Sequence, residues 1–298
     1  GTGLQNVAVG TNSLSASGTA TNNTAIGRSS MNATTGSENS ALGVNTLATN
    51  VGGSHSVAIG SEALTTQNPS SGNVDFYNTA VGSKAGKLIT TGVSNTLIGG
   101  LAGDALTDGG NNVVNGFGAL TAETRGSYTV AIGRGTLEAQ NFTSAADIYN
   151  TAVGGFAGRS ITTGFHNTLI GGRAGDALTD ADFNVALGYE TLTADTKGSR
   201  STAIGRSALG SQNFTSATDS ENTAVGFNAG ASVTTGIMNT LIGTQAGDAL
   251  SDADYNTVVG RNAMSNDTKG NRGVAIGYGA LTLQNFTSST DNYNVAVG

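Results

Sequence analysis

Histidine is the side chain most often used for acid–base catalysis near neutral pH, and the sequence has two, His55 and His166. They stand in unrelated turn segments and do not recur with the internal repeat described below. The fragment Gly133-Arg134-Gly135 carries little weight as a phosphate loop, because glycine is abundant and no helix is expected after it. We therefore expect both histidines to be solvated loop residues and the chain to have no enzymatic activity.

The best candidate for metal binding is an aspartate-rich segment whose fullest form contains Asp176, Asp180 and Asp182. Calcium takes about six to eight oxygen ligands, and these carboxylates could supply some of them together with turn carbonyls. Related segments carry Asp104 and Asp108, and then Asp248, Asp252 and Asp254. They are too far apart in the repeat to share ions. Solvated turn carboxylates are the expected role, with a calcium site as the alternative and no other cofactor.

A second candidate for ligand contact is an extension that recurs as Gln-Asn-Phe-Thr at residues 140–143, 212–215 and 284–287. Aromatic rings there could stack on sugars or contact a host surface, but they could equally pack back against the fold or between protomers. The first copy diverges, with Pro69 where phenylalanine would stand. The candidate contact residues are Asn141, Phe142, Asn213, Phe214, Asn285 and Phe286.

These residues are positioned by a repeat that runs through the whole chain. The motif Asn-Thr-Ala-Val-Gly and its variants recur, and the motif glycines from Gly82 onward are spaced by 17, 17, 17 and 21 residues three times over. Four coils therefore make a super-repeat of 72 residues, at about 6–77, 78–149, 150–221 and 222–293, with a closing motif at 294–298. The pattern predicts one continuous all-β, parallel β-solenoid of 17-residue coils over residues 1–298.

Within the motif, the second and fourth positions share one face of a strand and are β-branched or aliphatic in nearly every coil. We expect that face to be buried. The third position is mostly alanine and should point outward, where its small size would permit lateral packing of a second chain. Asn115 is the one break in the fourth-position column, and in a buried column its amide would need a partner, an ion or a water. The opening asparagines should form a ladder along the stack.

A second apolar position completes each coil. Four residues after the motif glycine stands Leu or Met in ten coils, whereas six coils have glycine there and a large apolar residue three positions later, for example Gly86 with Ile89. This exchange is expected if each coil must fill its own layer of core.

Composition excludes several classes of protein. The chain has 46 Gly, 1 Pro, no Trp and no Cys among 298 residues, so neither a disulfide framework nor a thiolate metal site exists. The net charge of −7 is unfavourable for binding nucleic acid. No signal peptide and no apolar span of about 20 residues is visible, so this segment is not expected to insert in a membrane. Because the pattern stops on a motif glycine, we expect a piece of a longer polypeptide.

The segment Asn78–Ser94 resembles the head repeats of trimeric autotransporter adhesins, and Ser56–Gly60 is similar to their Ser-Val-Ala-Ile-Gly core. The coil length of 17 residues is even more similar to repeats of phage tail fibres. The resemblance implies a left-handed β-roll, a homotrimer, and an extracellular location at a cell surface or in a virion fibre. It leads us to expect a rigid structural or adhesive fibre segment that spaces or presents contacts to a host glycan or protein receptor. The alternative is a carbohydrate- or ion-binding module that uses the periodic loops.

Overall fold

The computed structural model describes residues 3–69 and 72–298, and in these ranges its regular structure consists of β-strands without helices. The chain forms two compact units, residues 1–149 and 150–298. The boundary between them falls between the second and the third 72-residue super-repeat. Each unit is a parallel β-solenoid, so the predicted fold class is confirmed.

The strands of the first unit are short and evenly spaced. They are β1 (Val7–Val9), β2 (Thr24–Ile26), β3 (Ser40–Leu42), β4 (Gly53–Ser54), β5 (Val57–Ile59), β6 (Val74–Asp75), β7 (Thr79–Val81), β8 (Thr96–Ile98), β9 (Val113–Asn115), β10 (Gly126–Ser127), β11 (Val130–Ile132) and β12 (Ala146–Asp147).

The second unit repeats this order. Its strands are β13 (Thr151–Val153), β14 (Thr168–Ile170), β15 (Val185–Leu187), β16 (Gly198–Ser199), β17 (Thr202–Ile204), β18 (Thr218–Asp219), β19 (Thr223–Val225), β20 (Thr240–Ile242), β21 (Thr257–Val259), β22 (Gly270–Asn271), β23 (Val274–Ile276), β24 (Thr290–Asp291) and β25 (Val295–Val297).

Every three-residue strand is the centre of a sequence motif, and neighbours along the chain pair in parallel and in register. Thr223 pairs with Thr240, Ala224 with Leu241 and Val225 with Ile242. Eight such strands stack in the first unit and nine in the second. The two-residue strands form four separate ladders beside the longest coils, β4 with β6, β10 with β12, β16 with β18 and β22 with β24.

The orientation of the motif strands differs from the prediction. The third position, represented by Ala152 and Ala224, is fully buried inside the coil. The second and fourth positions point outward, and Ile242 is 39% exposed. The expectation that alanine faces out and the aliphatic pair faces in is therefore wrong. Asn115 accordingly lies on the outer face, where its amide is exposed to solvent and does not need a buried partner.

The narrow interior explains why alanine is the inward residue. In ten coils the layer is filled mainly by the Leu or Met four residues after the motif glycine, such as Leu209, and in six coils by the apolar residue three positions later, such as Val233; both of these are fully buried. Where the strand carries leucine instead of alanine, the neighbouring positions are glycine. A Cβ on Gly230 would lie 2.6 Å from Leu241 Cδ1, and one on Gly247 would lie 2.9 Å from Leu241 Cδ2. Leu241 thus occupies the volume that the two glycines leave, as the dense packing of protein interiors requires.

The predicted asparagine ladder is confirmed, and it joins backbone to side chain. The backbone N–H of Asn239 donates to Asn222 Oδ1 at 2.9 Å, and that of Asn256 donates to Asn239 Oδ1 at 3.0 Å. In most coils the Asn Nδ2 also donates to a carbonyl 14 residues later, as Asn239 does to Ala253 at 2.7 Å. These amides are buried and fully used, so the ladder fixes the register of successive coils.

The motif glycine is required by the closeness of the coils. Gly226 has a φ of +142°, and a Cβ there would lie 2.4 Å from the carbonyl oxygen of Gly243 in the next coil. No side chain fits at this distance, and the left-handed region itself favours glycine. Only glycine can therefore occupy the position at which the chain turns at the end of the motif strand.

Because Leu241 fills the volume that Gly230 leaves, we expect substitutions of these two residues to have strongly non-additive effects on the free energy of unfolding. We expect Gly230→Leu to lower the free energy of unfolding by about 1–3 kcal/mol through overpacking, and Leu241→Ala to lower it by about 2–5 kcal/mol through a cavity. In the double variant each change relieves the other, so its loss should fall short of the sum by more than about 1 kcal/mol. Urea unfolding followed by circular dichroism measures the three values, and simple additivity would contradict this account of the interior.

Candidate functional site

The periodic extensions begin where the asparagine ladder is interrupted. In the fourth coil of each super-repeat the ladder position is not Asn but Ser56, Thr129, Ser201 or Gly273. A glutamine from the extension bridges the interruption. Asn222 Nδ2 donates to Gln212 Oε1 at 2.9 Å, and Gln212 Nε2 lies 3.2 Å from Ser201 Oγ.

The same glutamine bonds to a buried carboxylate that the sequence patterns did not single out. Gln212 Nε2 donates to Asp195 Oδ2 at 2.5 Å, while Asp195 Oδ1 accepts the backbone N–H groups of Gly198 at 3.0 Å and Phe214 at 3.1 Å. Asp195 is completely buried. Hydrogen bonds to an ionised group are the stronger ones, so this carboxylate fastens the extension to the preceding coil.

Equivalent acids do the same in the neighbouring super-repeats. Glu123 Oε1 accepts the N–H groups of Gly126 at 2.7 Å and Phe142 at 3.1 Å. Asp267 Oδ1 accepts those of Gly270 at 3.1 Å and Phe286 at 3.0 Å. All three acids stand seven residues after a motif glycine. At this position the four successive coils of each of the last three super-repeats carry an apolar residue, a second apolar residue, an acid and Gln. This pattern was visible in the sequence.

The extension side chains proposed for surface contact are held by this network. Asn141, Asn213 and Asn285 accept a hydrogen bond from a threonine hydroxyl of the preceding coil, at 3.0, 3.2 and 3.3 Å respectively. Phe214 is buried, with 6% of its surface exposed. Phe142 and Phe286 are half-buried. The ring of Phe214 is therefore withdrawn from the surface.

The space under the extension is filled by different residues in different super-repeats. A Cβ on Gly198 would lie 2.8 Å from Phe214 Cδ2. In the first super-repeat, which has Pro69 in place of the loop phenylalanine, the same position beside Gly53 is taken by Phe76 at 2.8 Å. Phe76 is completely buried. The two phenylalanines come from different places in the sequence and fill equivalent volumes, which indicates that packing determines where they lie.

The aspartates considered for calcium are engaged by protein groups. Asp176 Oδ1 accepts the hydroxyl of Thr193 at 2.6 Å, Asp180 Oδ2 lies 3.5 Å from Lys197 Nζ, and Asp182 Oδ1 accepts the N–H of Phe165 at 2.9 Å. No group of three or more His, Asp or Glu side chains suited to a metal ion occurs in residues 3–69 and 72–298. Desolvation raises the pKa of Asp182 although the N–H of Phe165 lowers it. The geometry is that of turn carboxylates and inter-coil ion pairs.

The histidines lie in a column of residues that directly precede the ladder position. His55 Nδ1 is 3.3 Å from Glu38 and its Nε2 is 3.4 Å from Asp75, while its ring stacks on Tyr77 at 5.1 Å. His166 stacks on Phe183 at 5.1 Å. Both are members of a surface column of aromatic and charged side chains, and these contacts are those of stacked surface rings.

Two aspartates have a buried oxygen without a hydrogen-bond partner in the described structure, Asp104 Oδ1 and Asp248 Oδ1. They occupy equivalent positions in the second and fourth super-repeats. Desolvation raises the pKa of both carboxyls. The first super-repeat has Asn32 at this position, which carries no charge.

None of the described residues forms a helix with the length and apolar character of a membrane span. Neither a protein-family model, nor a curated protein, nor a solved structure matches this chain.

Removal of the buried carboxylate of Asp195 should cause a large loss of stability. Asp195→Ala leaves the N–H groups of Gly198 and Phe214 unpaired, at a cost of about 1–3 kcal/mol for each buried group. It also removes the shortest hydrogen bond of Gln212 Nε2, which keeps Ser201 Oγ as a partner. The exposed ion pair of Asp180 with Lys197 is the matched control, and Asp180→Ala should change stability by less than about 1 kcal/mol. Urea unfolding measures both variants. Equal effects would contradict a fastening role for Asp195.

Replacement of Asp248 by a neutral residue should increase the stability of the fold in a pH-dependent way. Its raised pKa means that the folded state binds the proton more readily than the unfolded state. The ionised carboxylate therefore destabilises the fold at pH 7, and this penalty disappears as the pH falls below about 3.9, the ordinary value for Asp.

We expect Asp248→Asn to unfold at a higher urea concentration than the wild type at pH 7 and at the same concentration at about pH 3. Asp252→Asn, which removes a carboxylate exposed beside Lys269, controls for loss of charge alone. An advantage of Asp248→Asn that is equally large at both pH values would contradict the assignment to ionisation.

Proposed function

We propose that the chain is a non-enzymatic fibre segment that associates with copies of itself, as a homotrimer, and spaces or presents contacts at a cell surface or on a virion. The observation that carries the proposal is the outward face of the motif strands. In a single chain its aliphatic side chains are partly exposed and follow one another from coil to coil within each unit, for example Ile59 in the first unit and Leu187 and Ile242 in the second. Parallel sheets in proteins usually have both faces covered.

The composition of this face favours coverage by a partner. Neither outward position carries a charged residue in any of the seventeen motif strands, and the fourth position is Val, Ile or Leu in all of them except at Asn115. Ion pairs lie on other parts of the coil, for example between Lys197 and Asp180. Extended apolar patches on a soluble protein are typical of interaction surfaces.

A second copy of the chain is the partner that fits this face best. Parallel strands stack at about 4.8 Å, so the face presents one aliphatic row per coil. A partner matches it row by row only if it has the same spacing, and another β-solenoid of this sequence has that spacing. A closed symmetric assembly buries the face on every copy, which is how most homo-oligomers are built. A trimer is the state that the resemblance to adhesin heads and tail fibres implies.

A trimeric assembly of this kind suits the role of an adhesin as well as that of a tail fibre. The sequence resemblance supports both roles. The periodic extensions provide less support for ligand binding, because Phe214 is buried and the extension backbone is bonded to Asp195. These contacts therefore favour the structural fibre over a binding module based on these loops.

The proposal predicts that a charge on the outward face dissociates the assembly without unfolding the chain. Ile242→Glu together with Ile170→Glu should convert trimers to monomers in sedimentation equilibrium, because an unpaired carboxylate is costly to bury. Thr235→Glu, in an exposed turn, is the matched control and should leave the mass of the assembly unchanged. Circular dichroism verifies folding. A wild-type chain that is monomeric at all concentrations would refute the proposal.

A further inference from the structure

The outward face of the first unit has one polar residue in its fourth-position column, Asn115 at the end of β9. In the parallel ladder Asn115 pairs with Ile98 of the preceding coil and with Ile132 of the following coil. Both neighbours are aliphatic, so neither side chain can form a hydrogen bond with the amide. In the single chain Asn115 is exposed, and water can satisfy its amide. A partner chain that covers this face removes that water.

The solenoid itself does not require a polar residue at this position. The third coils of the other super-repeats have Leu42, Leu187 and Val259 there. Leu42 is 48% exposed and Leu187 is 43% exposed, so an aliphatic side chain occupies the same outward position in an equivalent strand. Asparagine is also a poorer strand former than valine. The strand that carries Asn115 therefore does not explain why it is asparagine.

A uniform outward face would allow identical chains to associate in more than one register. Successive coils stack at about 4.8 Å, so a chain shifted by one coil along its partner still places an aliphatic row opposite an aliphatic row. The second position of the strands does not mark one coil either, because residues such as Thr24 and Val57 recur along it. A feature that occurs once is needed to select one register from several similar ones.

Three copies of Asn115 at the same height can satisfy one another. A side-chain amide has both a donor and an acceptor, so around a threefold axis each Nδ2 can donate to the Oδ1 of the next copy and close a ring. In a shifted register the amide faces the partner's aliphatic rows and is buried without a hydrogen bond, which is costly. One buried asparagine selects the register of coiled coils in this way, at a cost in stability.

We propose that Asn115 sets the register of the fibre by pairing with Asn115 of the other two copies. The inference rests on the self-association proposed above and identifies the residue that makes it specific. An asparagine that is merely tolerated on the face would weaken the assembly without affecting its register. Replacement of Asn115 by an aliphatic residue should instead strengthen the assembly and at the same time allow shifted registers.

Introduced thiols can report the register, because the chain has no cysteine of its own. Ile26 and Ile59 lie two coils apart in the fourth-position column, with Leu42 between them. In the unshifted register, thiols at these two positions of different copies are at least about 9.6 Å apart, whereas a disulfide spans at most ~7 Å between Cα atoms. Full-length Ile26→Cys chains and tagged Ile59→Cys chains are co-expressed and oxidised. The masses of the linked pairs then distinguish links between like chains from links between unlike chains.

With Asn115 present, we expect links between unlike chains to make up less than about one tenth of all links. Asn115→Leu should raise this fraction at least about three-fold and raise the urea concentration at which the assembly dissociates. Asn115→Val, which copies Val259, should do the same. Adding Leu42→Asn to Asn115→Leu moves the amide to another coil and should restore the single register. The matched control Val81→Leu, an aliphatic exchange in the same column, should leave the register unchanged.

Circular dichroism verifies that each variant is folded. Frequent links between unlike chains with Asn115 present would overturn the proposal, as would a single register in both Asn115→Leu and Asn115→Val. Failure of Leu42→Asn to restore the register would also contradict it. In all these cases the trimer persists, so the proposed fibre assembly stands while the role of Asn115 fails. A wild-type chain that sediments as a monomer and forms no links would refute both.

Discussion

The structure depends on one interaction, the hydrogen bonding of a buried asparagine amide to the coils beside it. The oxygen of Asn222 accepts from the backbone of Asn239, and its nitrogen donates to the carbonyl of Gly236. A short, planar side chain reaches these partners only if the next coil returns to the same place. Every coil must therefore stack in register whatever its length, and additional residues can be accommodated only outside the ladder. The close approach of the motif glycines and the narrow interior both follow from this stacking.

The asparagine ladder is interrupted in the fourth coil, which also carries the extra residues, and the buried acids help to compensate for this interruption. The ladder position there lacks an asparagine, so polar groups on either side would be buried without partners, which is costly. Gln212 takes the place of the missing amide and is itself held by Asp195. The extension thus belongs to the interior hydrogen-bond network as well as to the surface. Its fixed phase in the 72-residue repeat is explained by the need to bridge the same interruption in each super-repeat.

The sequence was sufficient to predict the three-residue motif strands, their register and the ladder, because each rests on spacing. It was not sufficient to orient them. Alternation assigns residues to two faces, and a preference for burying the larger side chains selected the wrong face for Ile242 and Ala224. The deciding quantity is interior volume, which the buried Leu209 and its equivalents already fill. The pairing of Gly230 with Leu241 indicates how little interior volume is left. This can be recognised only when both residues are known to meet inside the coil. Asp195 was missed because a lone acid in a turn resembles any solvated carboxylate until its partners are seen.

The reversed orientation changes how the surface should be interpreted. With alanine inside, each coil presents aliphatic side chains outward on its strand, charged and aromatic side chains at its corners, and open space where glycine is not required by the backbone. The first of these is repeated in every coil, as a surface for association of identical chains must be. A groove lined by Gly155, Gly172 and Tyr189 lies on three coils of the second unit. The groove is thus a departure from the repeat, whereas the outward strand face is repeated from coil to coil, and this distinguishes the two kinds of surface.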